Sequence, residues 1–84
     1  MNLDELRAGA AFQVQTTRDG VTWNPRQPHP QGFDTLVPGG DHWFTDHHSA
    51  WVAANNLRNV LTWQAVRIVV RDRRGNTVGE VPVE

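Results

Sequence analysis

Three histidines and two aspartates crowd into eight residues, Asp41-His42-Trp43-Phe44-Thr45-Asp46-His47-His48. Imidazole and carboxylate are ligands for zinc and other transition metals, so the first chemistry this run suggests is a metal site of His42, Asp46 and His47. The spacing points elsewhere. His42 and Asp46 are four apart but straddle an expected helix start with Thr45 as its N-cap, so they do not have to share a face. No His-Glu-x-x-His pattern is present. The plainer alternative is a polar helix start in which Asp46 complements the helix dipole and the histidines are solvated. A pH-sensitive contact is a further use of the same histidines. No cofactor is expected.

A second set of candidates comes from arginine. Arg67 and Arg71 fall on one face of an alternating segment, and Arg73 and Arg74 follow in the adjoining turn. Planar guanidinium groups suit bidentate contact with phosphate or with an acidic protein surface. The competing reading is an ordinary solvated strand face, with Asp72 and Glu80 as partial neutralisers. A nucleic-acid site would interleave stacking aromatics with these cations, and the sheet face offers no obvious exposed aromatics. Trp43 and Phe44, just before the helix, serve either as core anchors or as an aromatic partner site.

Catalysis has little to stand on. Ser49 is the only serine, and His47 and His48 beside it in sequence do not make a nucleophile–base pair, which is a matter of spatial geometry. Gly39-Gly40 lacks the lysine and spacing of a phosphate loop. The spacing Pro25-x-x-Pro28 matches a minimal extended docking pattern that chance also produces often. The expectation is a protein that is not an enzyme.

The elements that must hold these residues can be read from periodicity. Leu3 to Ala8 fits a short first helix ended by Gly9. Ala11 to Thr17 alternates, with Phe12, Val14 and Thr16 on one face, and so reads as a half-buried strand. Arg18-Asp19-Gly20 is a hairpin turn signal and Val21 to Trp23 a returning strand. Residues 24–41 carry four prolines and three glycines and read as a long loop draped on the core through Phe33, Leu36 and Val37. Ala50, Ala54, Leu57 and Leu61 mark one face of the main helix, running to about Thr62. Ala65 to Arg71 and Thr77 to Val83 form a second hairpin, with Pro82 suited to an edge. The expected fold is a single α+β domain spanning 1–84, two β-hairpins making a four-stranded antiparallel sheet with one main helix on one face.

Composition narrows the function classes. The chain has 84 residues, no cysteine and a net charge of −1. Disulfides and thiolate metal sites are thereby excluded, and a broad basic footprint for nucleic acid is missing. No apolar run suits a membrane span or a signal peptide, so the expected location is the cytoplasm with no membrane partner. All eight basic residues are arginine, and there are four tryptophans. These are the two residue types most enriched at binding hot spots. By elimination the expectation is a protein-binding module. Its most concrete form is a small inhibitor or accessory protein of the phage or mobile-element kind, of which anti-CRISPR proteins are an example. The alternatives are a nucleic-acid-binding domain using the final hairpin, a His/Asp metal protein, and a homodimer made by pairing an exposed sheet edge with its twin.

Overall fold

The computed structural model describes residues 6–32 and 36–83. Five strands and one long helix follow in the order β1 (Ala11–Thr17), β2 (Asn24–Pro28), β3 (Leu36–Pro38), α1 (His47–Val60), β4 (Ala65–Arg71) and β5 (Thr77–Val83). All pairings are antiparallel, and the sheet order is β3-β2-β1-β4-β5. The α+β class with an antiparallel sheet and one main helix is as the periodicity implies. The strand count is five rather than four.

The extra strand comes from the proline-rich stretch. Residues 24–41 are not one loop, because β2 and β3 pair with each other through Arg26↔Pro38, Gln27↔Val37 and Pro28↔Leu36. Pro28 and Pro38 end their strands, where a missing N–H interrupts the ladder least. The returning strand accordingly starts at Asn24 rather than at Val21, and Val21 lies exposed in the turn. Leu36 is buried as expected, while Phe33 lies outside the described residues. The expected first helix lies partly outside them as well. Leu6 and Arg7 are helical, Leu6 is fully buried, and Gly9 N–H donates to Leu6 O at 3.1 Å.

β1 and β4 run in full register, from Ala11↔Arg71 to Thr17↔Ala65. Strand side chains alternate between faces, so Phe12, Val14, Thr16, Val66, Ile68 and Val70 share one side. Helix α1 packs there, with Ala50, Ala54 and Leu57 buried against the sheet. Small alanines at the contact let the helix backbone lie close. Its N-cap is Asp46, not Thr45. The Asp46 backbone is extended, and its carboxylate accepts from His48 N–H, Ser49 N–H and the Ser49 hydroxyl. The helix ends at Val60, two residues before the expected end. Arg58 in the last turn complements the dipole there.

β2 pairs with β1 only at Gln15↔Pro25 and Thr16↔Asn24. The other half of that edge is taken by Phe44, whose N–H and C=O both bond Phe12, at 2.7 and 2.8 Å. Among the described residues, no helix is long and apolar enough to cross a membrane.

Candidate functional site

The Phe44 bridge explains how the segment before the helix is used. Neighbours in an extended chain point to opposite sides. Phe44 therefore turns to the helix side and packs against the core. Trp43 turns to the helix-free side and lies under the guanidinium of Arg71, 3.7 Å from ring centroid to carbon. The two aromatics thus divide the roles between which the sequence left a choice: Phe44 anchors and Trp43 faces outward, partly buried.

Trp23 does the same from the β1–β2 connection. Its ring lies 4.1 Å from the guanidinium carbon of Arg67. The helix-free face therefore carries two Trp–Arg stacks. Aromatics are present on it after all, delivered by loops rather than by the strands. That is why strand alternation alone does not reveal them.

A line of hydrogen bonds ties the two stacks together. Arg67 Nε and Nη2 donate to Gln15 Oε1 at 3.0 and 2.8 Å. Gln15 Nε2 donates to Gln13 Oε1 at 2.8 Å, and Gln13 Nε2 donates to Asp41 Oδ1 at 3.2 Å. Trp43 Nε1 donates to the same Asp41 oxygen at 2.9 Å. Two glutamine amides are thereby aligned between a cation and an anion, an arrangement in which each bond polarises the next. Gln13 is only 5% exposed, and Val69 beside it in β4 is also buried. The centre of this face is therefore covered, while Glu80 and Pro82 at its β5 edge are exposed.

The two strand arginines differ in what they have left to offer. Arg67 is committed. Its side chain is 19% exposed, Nη1 pairs with Glu80 Oε2 at 2.9 Å, and Trp23 covers its plane. Arg71 stacks on Trp43 but makes no side-chain hydrogen bond or ion pair among the described residues. Its Nε is a buried donor with no acceptor among the described residues. Buried polar groups are ordinarily satisfied, so such an atom marks an unfinished contact.

Arg73 and Arg74 are exposed in the β4–β5 turn, which is built on Asp72. Its Oδ1 accepts from Arg74 N–H and Asn76 N–H, and Gly75 takes a φ of +84° that glycine adopts without strain. Both arginines share a shallow depression with Arg7 and Gly9.

The histidine-rich run is dispersed. His42 sits edge-on to Phe44 at 4.6 Å, and His47 edge-on to Phe12 at 6.4 Å. Asp46 is engaged in the N-cap, which holds its carboxyl below the usual range, chiefly through the Ser49 hydroxyl. Among the described residues, no three His, Asp or Glu side chains converge as a metal-binding set.

Comparison of the chain with protein-family models, curated proteins and solved structures finds no match.

Proposed function

We propose that this protein is a non-enzymatic binding module that docks a partner protein on the helix-free face, centred on Arg71 and Trp43. The Arg71 guanidinium carries the reading: it is stacked on Trp43, and its terminal nitrogens are in no hydrogen bond or ion pair among the described residues. A guanidinium held flat on an indole is preorganised, and its donors await a carboxylate or carbonyl acceptor. The surrounding hydrogen-bonded line keeps the platform rigid, which limits the entropy lost on docking. An inhibitor or accessory role of the phage or mobile-element kind remains the concrete form of this proposal, and the cytoplasm its proposed location. Affinity capture from the cells of origin tests it. One protein should be retained by wild type and by the helix-surface variant Arg58→Ala, and lost by Arg71→Ala. Equal retention by all three would overturn the proposal.

A nucleic-acid partner is the second reading, favoured by the interleaving of Trp23 and Trp43 with arginines on one face. The charge count favours protein. Glu80 already neutralises Arg67, so of the two β4 arginines only Arg71 has unused donors among the described residues. Binding that weakens steeply with salt would support the nucleic-acid reading.

A further inference from the structure

A second recess lies on the helix side of the sheet, where α1 leaves β2 uncovered. It has a volume of about 570 Å³, and its walls include Thr16, Arg18, Asn24, Arg26 and Gln64, with Pro25 and Pro38 at its rim. Three features of it are unusual together.

The first is a pair of arginines without carboxylates. Arg26 Nε donates to Thr16 Oγ1 at 3.1 Å, which fixes the plane of its guanidinium. Its terminal nitrogens have no acceptor among the described residues. Burial, and then the charge of Arg18, push the Arg26 pKa down, and both arginines line the same recess. Neither is in an ion pair among the described residues.

The second is that the acid lining the recess, Asp19, is engaged by its own turn and forms an ion pair with neither arginine. Asp19 Oδ1 accepts from the Thr17 hydroxyl, Val21 N–H and Thr22 N–H, closing the β1–β2 turn on itself. The third is Gln64. It is 6% exposed and lines the recess, yet its side-chain amide makes no hydrogen bond among the described residues. Arg71 Nε is the only buried side-chain donor or acceptor left unsatisfied among the described residues, so the Gln64 amide is open to solvent in the recess and can donate there.

Two arginines outside any ion pair among the described residues, an amide donor at the wall and a carboxylate engaged by its own turn describe a site for a dianionic oxyanion. We infer that this recess binds a phosphate group, either free or carried as a monoester. The planar forks of Arg18 and Arg26 match phosphate oxygens, and Gln64 supplies a neutral donor at the recess wall. The space exceeds that of a bare phosphate, and the two prolines offer an apolar surface to whatever carries it. This site is separate from the Arg71 face and does not depend on the reading given there.

The test is titration of ¹⁵N-labelled full-length protein with inorganic phosphate, and in a parallel arm with adenosine monophosphate, at fixed ionic strength set by chloride. The expected result is saturable movement of the Gln64 side-chain amide and Arg26 Nε signals in both arms. Arg18→Gln, an exposed change that leaves the fold intact, should weaken binding by about tenfold or more, as loss of a charged phosphate partner does. Arg26→Gln should do the same. Tighter binding of the monophosphate supports a carried phosphate, and equal binding supports the free ion. Shifts that never saturate, that persist unchanged in Arg18→Gln, or that acetate reproduces at the same concentration would overturn the assignment.

Discussion

Arg67 and Arg71 sit four residues apart on one strand face, and each stacks on a tryptophan, yet truncating them should have unequal effects. Arg67→Ala removes two hydrogen bonds to Gln15 and one to Glu80, and it uncovers Trp23. Hydrogen bonds from a charged group contribute about 1.5–3 kcal/mol and a partly desolvated cation–π contact about 0.5–2 kcal/mol. The ion pair adds little, because Glu80 is 54% exposed. These contributions share one side chain and do not sum, so about 2–3 kcal/mol is the expected loss. Arg71→Ala removes one cation–π contact of about 0.5–1 kcal/mol, and it also removes a buried donor left unsatisfied among the described residues. Its net effect should stay below about 1 kcal/mol. For a domain of this size, these losses correspond to a fall in Tm of about 10–20 °C for Arg67→Ala and of about 5 °C or less for Arg71→Ala. Thermal unfolding followed by far-UV circular dichroism reads both. Equal falls would refute the division of the two arginines into a structural pillar and an available contact.

Four further outcomes follow from the same contacts. Asp19 is held down to about 2 by the Thr22 N–H first, then the Val21 N–H and the Thr17 hydroxyl. Its ionised form is thus favoured by folding, and that stability is present above the ordinary value of 3.8 and lost as pH falls towards 2. Asp19→Asn should flatten Tm against pH across that window, and a slope identical to wild type would count against the turn geometry. Asp46→Ala should lower Tm while Asp46→Ser largely retains it, because serine also caps a helix; equal loss in both would contradict the capping role. Gly9→Ala should destabilise by about 1–3 kcal/mol, since an added methyl meets Val70 and Phe12, whereas Gly79→Ala, with open space around it, should be tolerated. Zinc should leave Tm unchanged, because His42, Asp46 and His47 do not converge; a clear rise that His42→Ala abolishes would reverse that.

Periodicity exposed the parts of the fold that repeat. Alternation in β1, β4 and β5 and the four-three-four spacing of Ala50, Ala54, Leu57 and Leu61 reflect burial against one core, and burial leaves a regular trace in sequence. The β2–β3 ribbon leaves none. Its strands are five and three residues long, and prolines at their ends read locally as loop. The helix start was misplaced by one residue because Thr45 and Asp46 are both good caps, and only the reach to Ser49 decides between them.

The arginines of the open face were visible, but their inequality was not. It depends on Gln15, 52 residues from Arg67, and on Asp41, 28 residues from Gln13. No local pattern encodes contacts at that separation. One signal was available for Trp43: in an extended segment it must oppose Phe44, so once Phe44 is given to the core its neighbour faces outward. Nothing comparable marked Arg18, Arg26 or Gln64, which meet only because the turn after β1 and the end of the helix close on the same recess.

The central claim, that the helix-free face is where a partner docks, is tested most directly by a photo-crosslinking residue placed at position 82 in the native cell. Pro82 is exposed on edge strand β5, opposite Arg67, and so borders that face. The matching control is position 56 on the outer surface of α1. Docking on the open face predicts a discrete protein adduct from position 82, none from position 56, and loss of the adduct when Arg71→Ala is added. An adduct from position 56 alone, or one from position 82 that ignores Arg71→Ala, would contradict it.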